Sequence, residues 1–525
     1  MQAAAVVVSA VVPGGDTLVK VAELIGELRG SKPMFEGLLK HLQEVEPRLR
    51  KVINSNAVRE KEALRQYEKL VTDLHAVLER HLKRNSFSRF AGHWSLKDAV
   101  QQFKTQLELV KDLMDLDREL NIMNYFEQVR QFNHQASDAQ AAAFASLQVL
   151  IESQPTEFAQ LIKQEKVTVA DLIDFKSHIK ENGDAYSKEE LEALLTALKD
   201  ASNALGVKLP HISSWYMSVS EIVYDNGDPF ATSEHQLRAL YAGTIIPGSK
   251  VTVKTARASN NPTDIELFNK QAKMWYDLRH PHVLPLYGAN HSGDPLLLVM
   301  GRAELGNFRE YLATHRHRVW SLFLDAARGL AYLHKNKITH NNLKCNNLLV
   351  TAEGVGVVSD FLFAFVRTSS VMSVKPQAPS YHWKAPECFN PTNPNGRHES
   401  DVYALGMCLF EAFTGSAPYA DVDEDKAIEM IKQGKLPAVP ASVNMPTEAM
   451  ELIQGMCRAQ FTCRVKLDVV IRTLEVLAAR ERVLNGLMQC NCASSSCCAC
   501  HRSIRQQSTT TRTLPHAYMT RSDTM

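Results

Sequence analysis

Thr339-His340-Asn341-Asn342-Leu343-Lys344-Cys345-Asn346-Asn347-Leu348-Leu349 decides how the chain is read, because it stands within an ordered series of short motifs. Upstream lie Val251-Thr252-Val253-Lys254 and Leu278-Arg279-His280-Pro281-His282-Val283. Downstream lie Val358-Ser359-Asp360-Phe361-Leu362, Trp383-Lys384-Ala385-Pro386-Glu387 and Ser400-Asp401-Val402-Tyr403-Ala404-Leu405-Gly406. The texture around them changes in one direction. β-Branched residues and turn dipeptides such as Asn226-Gly227 and Pro247-Gly248 come first, and long helical patterns follow.

In order and spacing these motifs resemble the protein kinase signature set from the strand lysine onward. The nearest group is the tyrosine-kinase-like serine/threonine kinases, on Trp215-Tyr216, the Leu-Arg-His-Pro turn and Lys344. The resemblance implies a two-lobed α+β kinase-like domain over residues 211–480. Its small lobe would span 211–299, its hinge 300–304 and its large lobe 305–480. Asp401 and Arg464 match scaffold residues of such domains, so the fold is expected to be maintained.

The reacting positions depart from the family. A kinase needs a carboxylate in the catalytic loop to take the substrate hydroxyl proton. That position is Asn342, and a neutral amide is no base at neutral pH. Asn341 replaces the arginine that would pair with a phosphorylated activation loop. The glycine slots of the phosphate-covering loop fall on Ser233, His235 and Arg238, and no glycine occurs between Gly227 and Gly243. Backbone amides therefore lose their close approach to phosphates. Gln271 stands where a glutamate would hold Lys254, and Leu362 where a glycine would let the metal-binding segment flip.

Lys254, Lys344, Asn347 and Asp360 are retained. The resemblance gives Lys254, Met300, Ala303, Asn347 and Asp360 a residual nucleotide site, and gives Asn347 and Asp360 the Mg²⁺, weakly held or absent. Lys344 would face the transferred phosphoryl group. No cofactor is expected to be required, and weak ATP and Mg binding stays open. The expected function is a catalytically impaired pseudokinase that scaffolds or allosterically regulates other signalling proteins, an active kinase among them. Two alternatives stand beside it: a slow, atypical ATP-dependent serine/threonine kinase, and a membrane-docking helical effector latched by the pseudokinase.

Ahead of the motifs the spacing predicts helices. Leu64, Tyr67, Leu70, Val71, Leu74, Val77, Leu78 and Leu82 recur at i, i+3 and i+4, as do Leu96, Val100, Phe103, Leu107, Val110, Leu113, Met114 and Leu120. Residues 1–135 are read as an all-α bundle loosely similar to those of mixed-lineage-kinase-domain-like proteins. Residues 136–210 are read as a helical connector. The basic and aromatic segment 81–90 is a candidate contact for phosphate or anionic lipid, with a solvated helix end as the plainer reading.

Of the 525 residues, 45% are hydrophobic and 22% charged, which excludes a wholly disordered chain. The net charge of +1 argues against a chain-wide polyanion surface, so no nucleic acid partner is expected. No apolar run reaches the roughly 20 residues of a membrane span. The apolar start, Met1 to Val12, lacks a leading Lys or Arg, so no secretory leader is expected. Scattered cysteines suit a reducing, cytoplasmic setting. Residues 481–525 are read as a disordered Cys/Ser/Thr-rich tail. Its Cys490, Cys492, Cys497, Cys498 and Cys500 could be acylated at a membrane periphery, metal-bound or inert.

Overall fold

The computed structural model describes residues 15–28, 32–52, 57–114, 135–136, 138–139, 141, 144–145, 155–224, 227, 229–232, 238–245, 249–256, 262–293, 295–366 and 381–489. The glycine slots Ser233 and His235, and the tail cysteines, lie outside them. The chain forms two compact units. One holds Met1–Arg279 with Pro285–Arg302, the other His280–Leu284 with Ala303–Met525.

The first unit begins with α1 (Gly15–Glu27), α2 (Lys32–Val52), α3 (Val58–Leu82), α4 (Ser86–Ala91) and α5 (His93–Leu113). The α3 stripe is buried as its spacing predicts, and α3 packs against both α1 and α5. Leu18, Ile25, Phe35, Leu42, Tyr67, Leu74 and Phe103 share one core. Each such side chain contributes about 1.5–3 kcal/mol on burial, so this stripe is what holds the bundle.

A second core joins α4 to α6 (Pro155–Gln164), α7 (Val169–Asn182) and α8 (Lys188–Leu205). Sequence signals fix these ends. Thr168 with Asp171, and Ser187 with Glu190, form capping boxes at the starts of α7 and α8. Gly206 closes α8 at φ 66°, a conformation that glycine adopts without strain. Phe87 and Phe90 are 0% and 3% exposed and meet Phe175 edge-on. The aromatic rings of segment 81–90 are thus interior. Asn85 caps α4, and Asn85 and Ser88 both donate to Asp171 across to α7.

The sheet of this unit contains β1 (Ile222–Tyr224), β2 (Ala231–Thr232), β3 (Arg238–Ile245), β4 (Ser249–Ala256), β5 (Leu286–Asn290) and β6 (Leu296–Gly301). Its order is β1-β3-β4-β6-β5, with β2 also paired to β3. Helix α9 (Pro262–Tyr276) packs on β5. Trp215 and Tyr216 run beside β5: Ala289 N donates to Trp215 O, and Met217 N to Ala289 O. At β1, Arg80 of α3 donates to Ile222 O at 2.8 Å.

The second unit is helical, with α10 (Phe308–Thr314), α11 (Val319–Lys335), α12 (His398–Thr414), α13 (Glu424–Lys432), α14 (Thr447–Met456) and α15 (Leu467–Gln489). Short strands β7 (Ile338–Thr339), β8 (Leu348–Val350), β9 (Gly356–Val358) and β10 (Phe365–Val366) carry the catalytic-loop motifs between α11 and α12. Helix α12 is buried from Ser400 to Ala412 on every face, as expected for a helix apolar all round. A strand-then-helix domain preceded by helices is the fold class that the motifs imply. No helix among the described residues is long and apolar enough to cross a membrane.

Candidate nucleotide and metal site

The sequence-selected residues fall in both units. Lys254, Gln271 and Met300 belong to the first, whereas Ala303, Asn342, Lys344, Asn347, Asp360 and Leu362 belong to the second. Lys254 sits mid-sheet on β4, opposite Leu240 of β3 and Leu298 of β6, and is half-buried. Met300 is buried on β6 opposite Thr252. On α9, Phe268, Ala272 and Trp275 are buried, and Gln271 lies half-buried among them. Arg238 opens β3 opposite Ala256, so a strand residue occupies that glycine slot.

In the second unit the reactive loop hangs from Asp401, near the start of α12. Its Oδ2 accepts from His340 N at 2.9 Å and from His334 Nε2 at 3.0 Å, and its Oδ1 accepts from Asn341 N at 2.9 Å. Burial pushes this carboxyl up, but His334 and the donated backbone N–H groups outweigh it and hold the carboxyl below its usual range. Asn341 turns through φ 62°, a left-handed conformation that asparagine tolerates.

His340 is fully buried. Its Nδ1 accepts from Asn342 N at 3.2 Å and its Nε2 donates to Ser359 O at 2.8 Å. Those two roles require the neutral Nε2–H tautomer, and burial pushes the imidazole pKa down in agreement. The ring also meets Phe361 edge-on at 5.2 Å. The histidine thereby ties the catalytic loop to the segment carrying Asp360.

Asn342 and Asp360 are brought together. Asn342 Nδ2 donates to Asp360 Oδ2 at 3.3 Å, and Asn347 Nδ2 donates to Asn342 O at 2.8 Å. Asn347 O in turn accepts from Ser359 N and Oγ, each at 2.9 Å. Lys344 is half-buried, and its carbonyl accepts from Asn347 N at 2.8 Å. The left-handed turn falls on Asp360, at φ 64°, and not on Leu362. Phe361–Phe363 then form a 3₁₀ turn, which a leucine enters without strain.

Below the site, Arg464 binds Glu387 through two 2.7 Å bonds, donates to Glu399 O and lies over the Tyr403 ring. This clamp and the Asp401 anchor are the scaffold positions matched from sequence. Sequence reading missed His334, Ser359 and the direct Asn342–Asp360 bond. His334 carries no signal of its own, while Ser359 stands inside a quoted motif.

A fold of this order with a loop of this geometry defines the protein kinase class. Residues 239–474 match the family described as protein tyrosine and serine/threonine kinase, so this part of the chain is a protein kinase domain. Members of that family use ATP with Mg²⁺. The chain is 27% identical over 249 residues to serine/threonine-protein kinase STY46 of Arabidopsis thaliana, covering 46% of this chain and 42% of that protein. It is 29% identical over 221 residues to serine/threonine-protein kinase STY17 of the same plant, covering 40% and 38%. To tyrosine-protein kinase Fer of Homo sapiens it is 27% identical over 243 residues, covering 44% and 28%. The chain spans less than half the length of the curated relatives it matches.

Proposed function

We propose that this chain is a degenerate kinase of the tyrosine-kinase-like group, a pseudokinase, which acts through protein contacts as a scaffold or allosteric regulator of signalling proteins. The observation that carries this reading is Asn342, which fills the place of the catalytic carboxylate and spends its amide on Asp360. A positioned base contributes about 10²–10⁴ in rate, and an amide supplies none of it. Gln271 and Leu362, with the missing glycines, support the same reading. The partners proposed are other signalling proteins, an active kinase among them, with no nucleic acid. The setting proposed is the cytoplasm. Segment 81–90 lends no support to membrane docking, because Phe87 and Phe90 are interior.

The competing reading is a slow serine/threonine kinase. Retention of Lys254, Lys344, Asn347 and Asp360 favours it, because phosphoryl transfer relies on positioning and charge neutralisation. The test is phosphate transfer by the full chain from Mg-ATP to a generic acceptor protein. No transfer above a Lys254→Ala control is expected; transfer that this substitution removes would overturn the pseudokinase reading.

A further inference from the structure

The donor set around Asp360 does not fit the divalent cation that the family implies. A cation at this place needs free carboxylate oxygens and a high local negative charge. Asp360 Oδ2 instead receives an N–H from Asn342, a residue 8% exposed and enclosed by the loop. The amide orientation follows from hydrogen bonding: the flipped side chain would set its own oxygen against the carboxylate, two acceptors with no proton between them. With asparagine at 342, one formal negative charge faces the position where a catalytic aspartate would have made two.

We infer that the Asn342 amide takes the place of the metal ion at Asp360: it pairs with and steadies that carboxylate as a neutral donor, and the loop binds divalent cations poorly as a result. Residue 342 then sets cation affinity, a role distinct from proton transfer. The inference rests on the reading of this loop as a degenerate catalytic site. The two stand or fall separately, since Lys254-dependent transfer overturns that reading, whereas cation affinity alone decides this one.

The experiment is Mn²⁺ binding to the full chain without nucleotide, followed by the electron paramagnetic resonance signal of free Mn²⁺. N342D adds one charge next to the cation position and removes the donor. It should tighten binding about tenfold or more over the wild type. N342A removes the donor and adds no charge, and should give a smaller gain. The double variant N342D/D360N should fall back to the wild-type affinity. Wild-type binding as tight as that of N342D overturns the inference. So does an N342A affinity equal to the wild type, or a gain that survives loss of the Asp360 carboxylate. Thermal melting of each variant checks that it is folded, and N342A, which is uncharged, keeps the test open if N342D does not fold.

Discussion

The catalytic-loop floor in the second unit holds a fully buried aspartate, Asp401, and the junction between α7 and the sheet in the first holds a half-buried one, Asp174, and the two are treated in opposite ways. Asp401 accepts two backbone N–H groups and His334, and its carboxyl is held below the usual range. Asp174 of α7 accepts from Tyr216 and Ser218, with Arg84 near and the like charge of Asp171 also close. Burial dominates there and pushes its carboxyl up to about 6. The difference shows that burial alone does not set the state of a carboxylate. The supply of donors aimed at it does.

The two anchors also differ in what hangs on them. Asp401 holds backbone, so its loss leaves two buried N–H groups without partners. Asp401→Ala should cost about 3–5 kcal/mol, the range for breaking a buried, paired charge. Chemical denaturation of the full chain measures it, and a cost under about 1 kcal/mol would remove the contrast with the junction.

The pH dependence should be opposite in sign at the two sites. Asp401, lowered, adds stability that is present above the ordinary aspartate range and lost as pH falls. Asp174, raised from 3.8 to about 6, adds stability that is complete below pH 4 and lost as pH rises to about 6. Over that window the change from Asp174 is roughly 3 kcal/mol at most. Asp174→Asn should flatten this part of the profile, read as the difference in unfolding free energy between pH 4 and pH 7 for the variant and the wild type. An unchanged slope would show that Asp174 does not titrate at the junction.

The smallest effect is expected at Tyr216. Its hydroxyl donates to Asp174, meets Ser292 Oγ at 3.0 Å and accepts from Asn290 Nδ2 at 3.2 Å, which joins α7 to the end of β5. Tyr216→Phe keeps the ring and removes these bonds, at about 1–3 kcal/mol. The loss should shrink in an Asp174→Asn background, and strict additivity in that double-mutant cycle would mean that the two groups do not act together.

What was legible in the sequence follows from these physical differences. The α3 and α5 stripes declare themselves because burial on a helix is periodic. Lys254, Asn342, Asn347 and Asp360 can be picked out along the chain because the motifs they stand in keep a fixed order and spacing. Phe87 and Phe90 are not legible as core: flanked by Lys83, Arg84 and Arg89 they read as a surface cluster, and only the distant α7 supplies Phe175 for them to meet. Asp174 looks like any helix carboxylate, and Tyr216 reads as a family marker until the fold sets one against the other. The Asn342–Asp360 bond joins residues from two motifs, so reading each motif alone shows one departure and one retained carboxylate where the structure has a linked pair.

Arg80 on the carbonyl of Ile222 has a further consequence. A sheet edge with open backbone groups is a template for an added strand from another chain. Here β1, one outer strand, has a guanidinium on its backbone, and β5, the other, is bonded to the segment bearing Trp215 and Tyr216. A strand arriving from a partner would have to displace Arg80 to pair with β1, or the Trp215–Tyr216 segment to pair with β5.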